Sequence, residues 1–195
     1  MKIVLASRNK GKAREIADIL GDGFEIVTLD DLGFLDEIEE TGATFEENAA
    51  IKAETVCRAC NIPAIADDSG LEVDALGGQP GIYSARFAKL HGYDKGGKAL
   101  VLKLLEGVPA PRTARFVCAA AFAVPNGGTV VARGECDGAI GFKPEGTGGF
   151  GYDPIFLYAG RSMAAMSAAE KNAVSHRAAA FRKLAQNITN YHFSE

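Results

Sequence analysis

Residues 2–29, KIVLASRNKGKAREIADILGDGFEIVTL, decide the reading of the fold. A short apolar run, Lys2 to Ala6, fits a buried strand. A polar turn comes next, Ser7-Arg8-Asn9-Lys10-Gly11-Lys12. Ala13, Ile16, Ala17 and Leu20 then recur at helical spacing, and Gly21 is a stop signal. Phe24 to Leu29 reads as a second strand.

Further along, residues 30–43 form a loop with an acidic run, Asp36, Glu37, Glu39 and Glu40. Thr44 and Glu47 are spaced as a capping box, which predicts a helix to about Cys60, and Pro63 breaks it. Ala64 to Ala66 is a brief strand ending in Asp67-Asp68-Ser69-Gly70, and Leu71 to Asp74 alternates like another. A helix is expected from about Gly97 to Glu106. Ala114–Val124 and Thr129–Ile140 are long β patterns joined by the hairpin signal Asn126-Gly127-Gly128. Ser167 and Glu170 cap a last helix with Val174, Ala178, Phe181, Leu184 and Ile188 on its inner face. Strands alternating with helices, then a hairpin and a helix, predict an α/β domain with a mixed sheet.

The chain has 195 residues, 47% hydrophobic and 24% charged, with a net charge of −4, which excludes disorder and collagen-like order. At roughly 150 residues per domain, 1–195 is a single domain or one with two lobes. A weakly acidic chain is a poor candidate for long nucleic acid, but the balance leaves room for a small anionic ligand. No segment reaches the ~18 apolar residues of a membrane span, and Ile3–Ala6 is too short for a signal peptide. Cys57, Cys60, Cys118 and Cys136 are therefore expected as reduced thiols in a cytoplasmic protein.

Four polar clusters interrupt structured segments. Ser7 to Lys12 lies between strand and helix, where backbone N–H groups can meet an anion; the alternative is a solvated turn capped by Asn9. In Asp67-Asp68-Ser69-Gly70 the carboxylates cannot both face one way if the strand alternates. One can act as base or bind a hard cation, while the other ties down the loop. The acidic run, paired with Asp68, can supply the oxygen sphere that Mg²⁺ prefers, although such a run is more often a solvated face. Finally, Gly146 to Pro154 contains a literal G-x-G-x-x-G. The next segment, Asp153 to Leu157, is extended rather than helical, which excludes a dinucleotide fold. A loop presenting Phe150 for stacking on a planar ring fits better. Lys171, Ser175, His176 and Arg177 lie on the C-terminal helix, where a His–Arg surface pair is the plainer alternative.

Together these clusters resemble the inosine triphosphate pyrophosphatase family, bacterial house-cleaning enzymes also called dITP/XTP pyrophosphatases. The matching text is LASRNKGKAREI (5–16), EETGATFEENAAIKA (39–53), PAIADDSGLEVDALGGQPGIYSARF (63–87), GTGGFGYDPIF (146–156) and EKNAVSHRAAA (170–180). The stretch 89–103 matches poorly, and Arg8 stands where the family often has a small residue. The resemblance implies a two-lobed α/β fold with an elongated sheet, a site in the cleft between lobes, and a homodimer. It implies hydrolysis of inosine, deoxyinosine and xanthosine triphosphates to monophosphate and pyrophosphate with Mg²⁺. By the same resemblance, Ser7, Arg8, Asn9, Lys10, Gly11 and Lys12 hold phosphates. Asp68 is general base and metal ligand; Glu39 is the second ligand, with Glu40 its nearest competitor. Ser69, Phe150, Gly151, Tyr152, Asp153, Lys171, His176 and Arg177 line the nucleotide site.

The residue types suit that chemistry. A triphosphate needs cations, and Lys12, Lys171 and Arg8 are at hand. Donors at His176 and Arg177 would accept a 6-keto purine and be left unpaired by adenine's amino group. Two rivals are a pyrophosphatase for modified pyrimidine nucleotides, which should lack the His176–Arg177 pair, and a non-catalytic nucleotide sensor, which should lack a base such as Asp68.

Overall fold

The computed structural model describes residues 1–191. Its strands are β1 (Lys2–Leu5), β2 (Glu25–Thr28), β3 (Ala64–Val73), β4 (Thr113–Ala123), β5 (Thr129–Ile140), β6 (Phe156–Tyr158) and β7 (Arg161–Ser162). Its helices are α1 (Lys10–Leu20), α2 (Phe45–Cys60), α3 (Phe87–Leu90), α4 (Gly97–Leu104), α5 (Ala168–Val174) and α6 (His176–Tyr191). The strands form one seven-stranded sheet in the order β2-β1-β3-β4-β5-β6-β7. β1 pairs in parallel with β2 and β3, whereas β6 runs antiparallel to β5 and β7, so the sheet is mixed as expected.

The chain forms two compact units. The first gathers Met1–Asp68, Cys118–Gly134 and the chain from Arg177 onward; the second gathers Ser69–Val117 and Glu135–His176. In the first, Ile3, Leu5 and Ile65 bury one face of β1 and β3 against Ile16 of α1 and Phe181 and Leu184 of α6. The core of the second is built from Leu71, Val73, Leu100, Val101, Phe116, Ile155 and Phe156. There β5 and β6 meet at Gly138, where a Cβ would lie 2.4 Å from the Leu157 carbonyl oxygen and 2.6 Å from the Phe156 ring. Only glycine fits that approach.

Three expectations need correction. Lys10, Gly11 and Lys12 belong to the first turn of α1 rather than to the turn before it, because Asn9 caps the helix at that point. Residues 64–73 are one strand, not two strands around an Asp-Asp-Ser-Gly turn. The last helix is two helices, broken at Ser175, whose backbone is extended at φ −72° and ψ 148°. The Ser167–Glu170 capping box does open α5, with each partner's side chain bonded to the other's backbone.

Candidate active site

β3 carries Asp67 and Asp68 on successive positions, so their side chains leave opposite faces of the strand. In the first unit both faces are covered, and both carboxylates are buried. A buried charge persists only with partners, and each face supplies a different set.

On one face Asp68 meets α2. Asn48 and Lys52 stand four residues apart and therefore share one side of that helix. The Asn48 amide donates to Asp68 Oδ2 at 3.2 Å, and Lys52 Nζ lies 3.5 Å from Oδ1. Lys52 also reaches Glu40 Oε1 at 2.5 Å. The orientation of Asn48 is fixed from behind, because its carbonyl oxygen accepts the Gly42 backbone N–H at 2.8 Å, turning its NH₂ toward Asp68. Thr44 caps α2 through the Glu47 N–H, and Glu47 in turn accepts from the Ala43 N–H at 2.6 Å. The loop bearing Glu40 is thus tied to the N-terminus of α2. Burial raises the Asp68 pKa and Glu40 adds to the rise, against the pull of Lys52, Lys12 and the Asn48 bond. Burial lowers that of Lys52, but Asp68, Asp67 and Glu40 together carry it above its ordinary value.

On the opposite face Asp67 meets α1 and α6. Lys12 Nζ is 3.0 Å from Oδ2, and the Arg177 guanidinium approaches the same oxygen at 3.4 Å. Arg177, 1% exposed, also holds Glu15 Oε2 at 2.5 Å. Burial pushes the Asp67 pKa up, but Lys12 and Arg177 overcome it and hold the group well below the usual carboxylate range. Cys118 lies 3.9 Å away, its thiol pushed up by burial and by Asp67. All four cysteines are free thiols.

Just before α1, Asn9 Oδ1 accepts the backbone N–H groups of Gly11 and Lys12 at 3.0 and 3.1 Å. Ser7 Oγ accepts that of Asn9 at 3.3 Å. Arg8 donates to the carbonyls of Phe34 at 2.7 Å and Asp36 at 3.2 Å, so it pins the acidic loop. Lys10 is exposed, as is Glu39.

In the second unit the glycine loop is organised around Asp153. Its Oδ2 accepts the Phe150 N–H at 2.7 Å and pairs with Lys171 Nζ at 2.7 Å. Gly149, at φ +65°, allows this, since a Cβ there would lie 2.1 Å from the same oxygen. Lys171 sits 4.9 Å from the Phe150 ring centre, and Phe150 is half-buried. Tyr152 is tied to the Ser84 carbonyl at 2.8 Å, and burial pushes its hydroxyl up to about 12. His176 is buried and stacked on Phe116, 4.7 Å between centres. Ser69 and Gly151 are partly and well exposed respectively.

His176 and Arg177 are therefore not a surface pair. Lys171 and Arg177 are not open cations either, because each already neutralises a buried carboxylate. Reading the sequence missed Asn48, Lys52 and Glu15. For the first two a signal existed: they interrupt the otherwise apolar stripe Phe45, Ala49, Ala53 and Val56 of α2. Glu15 lies on a charged helix with nothing to single it out.

The chain is 48% identical over 187 residues to a protein from Bacillus licheniformis named dITP/XTP pyrophosphatase, covering 94% of this chain and 95% of that one. It is 47% identical over 195 residues to a protein of the same name from Exiguobacterium sibiricum, covering 98% of each. The solved structure of the Staphylococcus aureus Ham1 protein superposes with a TM-score of 0.85 at 40% identity, covering 98% of this chain and 100% of that one. A family model described as the Ham1 family matches residues 3–187, and the chain belongs to that family.

Proposed function

We propose that this protein hydrolyses the non-standard purine nucleotides inosine, deoxyinosine and xanthosine triphosphate to monophosphate and pyrophosphate, cleansing the nucleotide pool. The observation that carries the reading is its near-full-length identity with proteins named dITP/XTP pyrophosphatase. The Asp68 cluster supports it chemically. Asp68 is the general base, and the burial that raises its pKa makes it a better proton acceptor for attacking water.

The cluster also suits Mg²⁺, which favours one or two carboxylates with waters and phosphate oxygens completing its shell. Asp68 and Glu40 offer hard oxygens, and the ammonium within reach of both marks a place that a cation fits. Glu40 is supported over Glu39 by its shared contact with Lys52. Among the described residues no group of three or more His, Cys, Asp or Glu side chains is set to hold a metal. When bound, the ion supplies charge neutralisation at phosphate and a more acidic water.

Ser7, Asn9, Lys10 and Lys12, with the backbone at Arg8 and Gly11, bind the phosphates; Asp67 keeps Lys12 in place for them. Phe150 stacks on the purine, and the Asp153–Lys171 pair holds that ring in position. Ser69, Gly151, Tyr152 and His176 line the nucleoside. Arg177 can serve the base only by leaving Asp67 and Glu15. The protein acts as one domain over 1–195, as a homodimer in the cytoplasm; C2 pairs are the commonest soluble oligomers.

The test is pyrophosphate release from ITP, dITP, XTP, GTP and ATP, with and without Mg²⁺. Fast release from the first three, lost with chelation, is expected. Equal rates on ATP, or rates indifferent to Mg²⁺, would refute the reading. Sedimentation equilibrium giving a monomer at micromolar concentration would refute the dimer.

A further inference from the structure

Lys52 places a positive charge where the carboxylate pair calls for one. Its Nζ lies 2.5 Å from Glu40 and 3.5 Å from Asp68, and its side chain is 11% exposed. Burying an ammonium is unfavourable unless anions compensate it, and these carboxylates are the anions. They are held independently of Lys52. Asp68 is fixed by β3 and by the Asn48 amide, itself oriented by Gly42. The Glu40 loop is clamped to the start of α2 through Ala43–Glu47 and Thr44–Glu47. Lys52 is the movable member, a point charge on a flexible four-carbon stem.

We propose that Lys52 is the resting counter-ion of Glu40 and Asp68, that it stands in for a divalent cation, and that the arriving cation displaces it toward the phosphates. This rests on the reading that Glu40 and Asp68 hold the cation. The charge balance favours the exchange. Two carboxylates and one ammonium leave one negative charge; a divalent ion in its place neutralises both carboxylates. The released ammonium then faces an incoming polyanion. Without nucleotide, the ion must compete with a tethered ammonium for the same oxygens. With nucleotide, the ammonium gains another partner and the competition falls. Lys52 thereby couples cation and nucleotide affinity, and the coupling is reciprocal.

The test is Mn²⁺ titration by calorimetry on the full-length protein without nucleotide, for wild type, Lys52→Met and Asp68→Asn. Lys52→Met is expected to bind Mn²⁺ about tenfold or more tightly, a conservative conversion of the screened energy between charges at this separation. A non-hydrolysable ITP analogue should tighten Mn²⁺ binding in wild type and much less in Lys52→Met. Acylation of Lys52 in wild type, read by mass spectrometry, keeps the test independent of whether the variant folds: Mg²⁺ alone should accelerate it. Unchanged or weaker Mn²⁺ binding by Lys52→Met, or an acylation rate indifferent to Mg²⁺, overturns displacement. The metal reading fails separately if Asp68→Asn binds Mn²⁺ as well as wild type, and displacement falls with it.

Discussion

Asp67 and Asp68 stand side by side on β3, and their surroundings push their acidities in opposite directions. Asp67, with its pKa held below the unfolded value near ~3.9, stabilises the fold above that pH. The contribution is lost as pH falls toward the lower, folded value. Asp68 has a raised pKa, so what it contributes is largest at low pH and is lost as pH rises through its folded value. Its charge is a cost to the fold, in keeping with the general-base role proposed for it. Asp67→Asn takes from Lys12 and the buried Arg177 the carboxylate they share, leaving Glu15 to hold Arg177, and should cost about 3–5 kcal/mol at neutral pH. It should also flatten the acid limb of a stability–pH profile measured by urea melts. Asp68→Asn should leave Tm unchanged or higher while reducing kcat by ~10²–10⁴. An Asp67→Asn protein as stable as wild type would remove Asp67 from its place as the buried anchor, and near-wild-type turnover by Asp68→Asn would remove Asp68 from the chemistry.

At the scale of elements, α2 and the loop before it act together, and Gly42 is the joint. A Cβ on Gly42 would lie 2.6 Å from Glu47 Cβ and 2.8 Å from Asn48 Oδ1. Gly42→Ala should therefore push the Glu40 loop away from α2 and release the Asn48 amide. The expected result is a loss of kcat with the far-ultraviolet circular dichroism unchanged; full activity would show that the loop does not depend on this contact. Local signals of this kind were legible in the sequence where they are chemical: the Thr44 cap, the Ser167–Glu170 box and the Asn126-Gly127-Gly128 turn all lie at element ends. The break at Ser175 was not, because Val174, Ala178, Phe181 and Leu184 keep a helical period straight through it. Nor was the continuity of β3 legible. Asp67 and Asp68 look like a turn until the partners that neutralise them on each face are known, and those partners lie on other elements. The same limit applied at the site: the Asp67-Asp68 pair stood out in its own text, but which carboxylate meets α2 and which meets α1 did not, and Lys52 and Glu15 acquire meaning only through the side chains they touch.

For the molecule as a whole, the path of the chain constrains how it unfolds. The boundaries between its compact units fall at Asp68–Ser69, Val117–Cys118, Gly134–Glu135 and His176–Arg177. The first three lie inside β3, β4 and β5, so these strands contribute residues to both units. Melting one unit would leave each shared strand paired over only part of its length and unpaired from the junction on, and neither unit is a continuous stretch that could fold during synthesis before the rest exists. The consequence is cooperative unfolding, as in small single domains, rather than two separate transitions. Phe181→Ala tests this from one side. Phe181 is fully buried in the first unit, and its loss should cost about 3–5 kcal/mol. If unfolding is cooperative, calorimetry shows one transition shifted down. Hydrogen exchange then accelerates equally at the slowest amides of both units, including those flanking Phe116 on the part of β4 that belongs to the second. Protection lost only around Ile3, Ile65 and Leu184, with the second unit's slowest amides untouched, would mean that the units melt independently despite the strands they share.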